Sequence, residues 1–330
     1  MDENKTNKIV LMFPGQGSQS LHMGDKFLSN NTEYKKYFNI SSEVLGQNIL
    51  NIINNKDDKG VILQKTQFSQ IAIYTLSCAI FSYIIDSFSL KNDCIDTVLG
   101  HSLGEYSALF TCGALNFKKG AELVVFRGKI MENNNISGGM AAVIGLDKCK
   151  ILDVLKDYIG KVFIANYNDY SQIVISGYRK NLESALVKLK QKGAKRVVPL
   201  KVSIASHCHL MLEVSKNLER FIKNNILFSD FKYNFFSTTE VSYIRKDDIG
   251  NVLVKQLINP IKWVESIEYL LKKNLRIFIE IGPGRVLCEL VKRIALRNGI
   301  KDVSIFNTNN WDDIINLGSF LKEKGLTNEA

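Results

Sequence analysis

Apolar residues fall along this chain in two rhythms. Short continuous runs closed by glycine, proline or polar turns predict buried strands over residues 8–13, 94–99, 230–236, 276–281 and 303–306. Between them lie helical patterns over 105–110, 116–132, 252–257, 263–273, 286–296 and 311–322. Residues 68–88 are apolar on nearly every side, which predicts a core helix. The longest apolar run inside it, 71–85, falls short of the roughly 20 residues that a membrane span needs. Residues 25–60 are polar and helical in parts.

The texture changes at Gly138. From there the pattern predicts a strand (140–146), a helix (147–158), two strands (162–167 and 172–176), a helix (179–191) and a strand (196–202). That order, βαββαβ, is the ferredoxin-like arrangement. The expected fold is therefore α/β: a large α/β-hydrolase-like subdomain with a mostly parallel sheet, carrying an inserted ferredoxin-like one. The expected division is 1–137 with 205–330 for the large part and 138–204 for the small one. A cleft between the two is a natural place for a ligand.

Chemistry concentrates where the second strand ends. Gly100-His101-Ser102-Leu103-Gly104 has the form Gly-x-Ser-x-Gly between a predicted strand and a predicted helix. Such a turn exposes the serine hydroxyl, and the N–H groups of the following helix end suit a developing oxyanion. A glycine-rich turn with a capping serine would look the same in isolation. A serine nucleophile needs a base, and the chain offers His22, His101, His207 and His209. His101 adjoins the serine, so its side chain should point elsewhere; sequence alone excludes neither His22 nor His209. Arg127 sits in an apolar stripe with Gly120, Leu123, Val124, Ile130 and Met131. It is either a snorkelling arginine or a buried cation that requires an anion. Pro14-Gly-Gln-Gly-Ser-Gln19 closes the first strand with glycines that allow close backbone approach.

Composition changes this picture little. The 330 residues carry 43 Lys and Arg against 33 Asp and Glu, a net charge of +10, with the lysines dispersed. A diffuse positive field favours an acidic protein or phosphate-bearing partner, a Lys/Asn/Ile-rich compositional habit gives the same charge with no partner implied, and no nucleic-acid-binding motif is present. Six scattered cysteines without Cys-x-x-Cys pairs argue for a reducing compartment and against a metal site, and the polar start, 1–8, shows no signal peptide.

Several separate stretches now agree: Pro14–Gln19, Gly100–Glu105, Arg127-Gly-Lys with Met131, Met140–Gly145, Ser206-His207-Cys208, Gln256–Pro260 and Glu280–Gly284. Together, over residues 8–298, they resemble the malonyl-CoA:acyl carrier protein transacylase family. That family includes the stand-alone enzyme of fatty acid synthesis and the free-standing acyltransferases of polyketide synthases. The resemblance implies transfer of a malonyl group from malonyl-CoA to the phosphopantetheine thiol of an acyl carrier protein, in ping-pong fashion, through a malonyl-Ser102 ester. It implies His207 as the general base, the backbone N–H groups of Gln16 and Leu103 as the oxyanion hole, and Arg127 as the partner of the malonyl carboxylate. It places Gln256 where the family uses a backbone carbonyl to orient the histidine, and His101, Met131 and Asn166 in the pocket. No metal or other cofactor, no nucleic acid and no membrane is implied; a cytoplasmic monomer is expected. The chain departs from the family pattern at Ala205, Ile71 and Asp169-Tyr170, where prolines or Ser-Pro are common. The alternatives are an acyl hydrolase that clears carrier proteins, a lipase or esterase, and a silent docking protein. Arg127 argues against the first, and the absence of a histidine after His209 against the second.

Overall fold

Two sheets organise the chain. The computed structural model describes residues 7–55, 59–202 and 204–328. The first six residues of the polar N-terminus lie outside these, as does Ser203, the last residue before the histidine-bearing loop. In chain order the strands are β1 (Ile9–Phe13), β2 (Ile95–Gly100), β3 (Gly138–Ile144), β4 (Val162–Asp169), β5 (Gln172–Tyr178), β6 (Arg196–Pro199), β7 (Asn234–Ser237), β8 (Ser242–Tyr243), β9 (Ile261–Lys262), β10 (Ile277–Glu280) and β11 (Ser304–Asn307).

The larger sheet runs β11-β10-β1-β2-β7-β8, and only the β7–β8 pairing is antiparallel. Its central strand shows why the apolar runs are continuous. Ile9, Leu11 and Phe13 point into one core and Val10 and Met12 into the other, so both faces of β1 are covered. The helix Thr66–Phe88 is buried nearly all round. Among the described residues it alone is long and apolar enough to cross a membrane, and 89% of that apolar window is packed inside the protein. It lies close against the helix Phe117–Glu132. A Cβ on Gly128 would sit 2.8 Å from the Gln67 Cα, so the two backbones approach as only glycine permits. Asn116 caps the second helix, its side chain accepting from the Lys119 N–H at 2.9 Å.

The smaller sheet runs β6-β3-β5-β4, the ferredoxin-like strand order, with the helices Lys148–Leu155 and Arg179–Gln191 packed on it. A fifth strand was not expected from the sequence. β9, from far outside 138–204, pairs in parallel with β4, Asn166 opposite Ile261. A two-residue strand carries too little pattern to be read. The same edge is tied down by side chains: Arg293 donates to Asp169 at 2.6 Å, and Tyr170 bonds both Glu268 and Asn298. The Asp169-Tyr170 departure from the family pattern is thus occupied by a polar clasp.

Other expectations change: the strand expected over 230–236 forms only over Asn234–Ser237. The strand expected over 196–202 pairs only as far as Pro199, because the chain turns away toward the histidine loop. The helix Leu212–Asn225 was not anticipated, although Val214, Leu218 and Ile222 bury one face at four-residue spacing.

Candidate active site

The turn after β2 is sterically specified. His101 continues the strand, its N–H donating to the Phe13 carbonyl at 3.0 Å. The helix Gly104–Thr111 then starts directly over β1. A Cβ on Gly104 would lie 2.0 Å from the Phe13 carbonyl oxygen, and one on Gly100 1.9 Å from the Gly104 carbonyl carbon. No side chain fits at either position, which is the physical content of the two flanking glycines. Ser102, caught between them, adopts φ +54°, left-handed backbone that a non-glycine residue holds only under constraint. Its hydroxyl faces a cleft of about 490 Å³.

Of the four histidines, one reaches it. His207 Nε2 lies 2.9 Å from Ser102 Oγ. His22 pairs with Asp25 on the surface, His209 is exposed, and His101 bonds Asn168 Oδ1 at 2.9 Å. His207 Nδ1 lies 2.8 Å from the backbone carbonyl of Gln256. A carbonyl only accepts, so Nδ1 carries the proton and Nε2 presents its lone pair to the serine hydroxyl. Burial, reinforced by Arg127, pushes the imidazole down to about 3. It is therefore neutral, and free to take a proton, throughout the neutral range.

Arg127 is 1% exposed, which rules out a snorkelling side chain. Nη1 donates to Gln70 Oε1 at 2.6 Å; Nη2 donates to Ser102 Oγ at 3.1 Å and to Gln256 Oε1 at 3.3 Å. Its Nε has no partner, and among the described residues no carboxylate forms an ion pair with it. The guanidinium is thus surrounded by neutral oxygens and borders the cleft. A buried cation with no carboxylate in direct contact is costly; Glu105 acts on it only at a distance, through Gln256, and the cleft beside it is where an anion fits. A planar fork of this kind pairs with a carboxylate through two parallel hydrogen bonds.

The remaining expected residues lie around the same cleft. Gln16 and Leu103 line it beside Ser102, and neither backbone N–H donates to a protein acceptor among the described residues. Two free amides flanking a serine hydroxyl are an arrangement that can hold an oxyanion. Met131 is buried, and its Sδ accepts from Gln70 Nε2 at 3.4 Å. Asn166 contributes to the wall from β4, held there by the β9 pairing. The small sheet thus supplies one side of the cleft, through Met140, Asn166 and Val174, while Ser102 after β2, Arg127 on a helix and His207 on a loop line the other.

Three contributions escaped the sequence. Gln70, Glu105 and the side chain of Gln256, all buried, complete the shell around Arg127 and Ser102. The signal for the first two was a large polar or charged side chain within a helix whose residues are buried nearly throughout. No cluster of three or more His, Cys, Asp or Glu able to hold a metal occurs among the described residues.

Known proteins share this fold. The acyl transferase domain family matches residues 10–322, and the chain belongs to that family. Among curated relatives, the polyketide biosynthesis malonyl CoA-acyl carrier protein transacylase BaeC of Bacillus velezensis is 36% identical over 290 residues, 87% of this chain and 96% of that one. The malonyl CoA-acyl carrier protein transacylase of Bacillus subtilis is 35% identical over 298 residues, 88% and 92% of the two chains. Among solved structures, a malonyl-transacylase in complex with its type II polyketide synthase acyl-carrier protein superposes with a TM-score of 0.88. It is 32% identical and covers 95% of this chain and 99% of that one.

Proposed function

We propose that this protein is a malonyl-CoA:acyl carrier protein transacylase. One observation carries the substrate choice: the buried Arg127 guanidinium, without an acidic partner, lies 3.1 Å from Ser102 Oγ. A malonyl thioester brings a carboxylate to that cation while its carbonyl carbon meets the serine; an acetyl thioester brings none. Truncating one side of such a buried charge pair costs about 2–5 kcal/mol, a factor of 30 or more.

The reaction runs in two halves. Ser102 Oγ attacks the thioester carbonyl of malonyl-CoA as His207 Nε2 takes its proton. The Gln16 and Leu103 amides hold the oxyanion, the C–S bond breaks, and the coenzyme A sulfur leaves with the proton from His207. The phosphopantetheine thiol of an acyl carrier protein then enters. It gives its proton to His207, attacks the ester, and returns the malonyl group as a thioester while Ser102 regains its hydroxyl. Gln256 takes the place of a triad carboxylate through its carbonyl, stabilising the imidazolium by a neutral dipole. Met131, His101 and Asn166 shape the acyl pocket. No step calls for a metal or a redox group. The reading implies a cytoplasmic enzyme that acts as a monomer with two subdomains, 1–137 with 205–330 and 138–204. Its net charge of +10 suits an acidic carrier.

Incubation with labelled malonyl-CoA and a phosphopantetheinylated carrier protein tests this. Label should pass to the carrier through an acyl-enzyme intermediate. Release of free malonate without carrier labelling would instead identify a hydrolase.

A further inference from the structure

Glu105 is fully buried one residue into the helix that follows the nucleophile, and nothing in the mechanism above uses it. Everything around its carboxylate donates. Oε1 receives the Thr238 N–H at 3.0 Å and lies 3.1 Å from the Thr238 hydroxyl, which it shares with the Gly100 carbonyl, and 3.4 Å from the Ser237 hydroxyl. Oε2 receives the Gln256 side-chain amide at 2.6 Å.

That last bond reaches the reacting groups. The Gln256 Nε2 group also donates to the Ser102 carbonyl at 3.0 Å, while Gln256 Oε1 accepts from Arg127 Nη2 at 3.3 Å. Two acceptors on one side and one donor on the other admit a single orientation of the amide. Turned over, it would set NH₂ against the guanidinium and an oxygen against the Ser102 carbonyl.

We propose that Glu105 is a positioning residue for substrate selection: its ionised carboxylate locks the Gln256 amide in the orientation that holds Arg127 beside Ser102. The inference rests on the transacylase reading and adds the element that keeps its carboxylate receptor aimed. Glutamine at 105 has the right shape but turns an NH₂ toward Gln256 Nε2, so the amide flips and Arg127 loses an acceptor. Protonation acts in the same direction. Burial pushes this carboxyl up to about 7. The groups facing it are the Ser237 and Thr238 donors and Gln256, with Arg127 and Tyr106 the charged or titratable neighbours.

The test measures kcat/KM for malonyl and acetyl transfer in wild type, Glu105→Gln, Gln256→Ala and the double variant. Wild type transferring malonyl sets the baseline, and its failure there would strike the transacylase reading, not this inference. Glu105→Gln should lower the malonyl-to-acetyl preference about tenfold, while in the Gln256→Ala background it should change the preference less than twofold. The wild-type preference should rise between pH 6 and pH 8.5, a readout that needs no folded variant. A preference within twofold of wild type in Glu105→Gln, with both transfers reduced alike, or a preference flat across that pH range, would overturn the proposal.

Discussion

Glu105 and Glu280 are both fully buried carboxylates, and burial pushes both up to about 7. They differ in what they hold. Glu105 touches Gln256 and, through it, the serine carbonyl and the arginine. Glu280, the last residue of β10, receives the Cys288 N–H at 2.9 Å in the first turn of the helix Val286–Arg297, and its Oε1 has no partner. One carboxylate is hydrogen-bonded into the shell around Ser102 and Arg127; the other compensates the positive end of a helix. A raised carboxyl is therefore the mark of burial, and the hydrogen bonds leading away from it decide whether it serves the chemistry.

This contrast can be broken at graded depth. Ser102→Ala removes what Glu105 is wired to: malonyl transfer should fall by about 10⁴-fold or more, and intact-protein mass spectrometry should show no malonyl adduct. A persistent adduct would move the nucleophile elsewhere. Arg127→Ala cuts the wire one step earlier, and the malonyl-to-acetyl preference should drop about 30-fold or more. Competition between the two thioesters measures it, and an unchanged ratio would mean that the carboxylate is read by another group. Gln70→Ala removes the shortest bond to that guanidinium, at 2.6 Å. A hydrogen bond to a charged group contributes about 1.5–3 kcal/mol, so KM for malonyl-CoA should rise about tenfold with kcat less affected.

Glu280→Gln sharpens the contrast from the other side. Transfer and acyl preference should stay within twofold of wild type. Stability should respond to pH with a definite sign. Because the folded carboxyl titrates near 7, above its unfolded value, the folded state binds the extra proton between about 4.5 and 7. Wild type therefore loses stability as pH rises through that window, and the loss is complete above it. The variant lacks this group, so its melting temperature relative to wild type should climb by a few degrees between pH 5 and pH 9. His207, held near 3, slopes the other way, destabilising the fold as pH falls below about 6.5. A variant whose relative melting temperature is flat with pH would show that Glu280 titrates in the fold as it does in the unfolded chain, without the upward displacement.

Much of the fold and part of the site were written in local pattern. Continuous apolar runs marked parallel strands because both faces of such strands are covered, as β1 shows. The βαββαβ order of the smaller sheet followed from alternating periods. The Gly-x-Ser-x-Gly turn and the arginine in an apolar stripe were visible because each is a local violation: glycines where side chains collide, and a charge where none is expected. Resemblance to a family then separated His207 from His22 and His209, which residue type alone did not.

Only the tertiary structure decided which of these pieces meet. Ser102 finds His207 across 105 positions and Gln256 across 154, and Gln70 finds Arg127 across 57 because two helices pack backbone to backbone at Gly128. Short paired strands such as β9 and the clasp at Asp169 also depend on partners far along the chain. Local sequence fixes conformation because sterics and periodicity act over a few residues. Whether a buried charge is left without an anion, or a buried carboxylate is wired to a nucleophile, depends on desolvation and on contacts that exist only once distant segments share one interior.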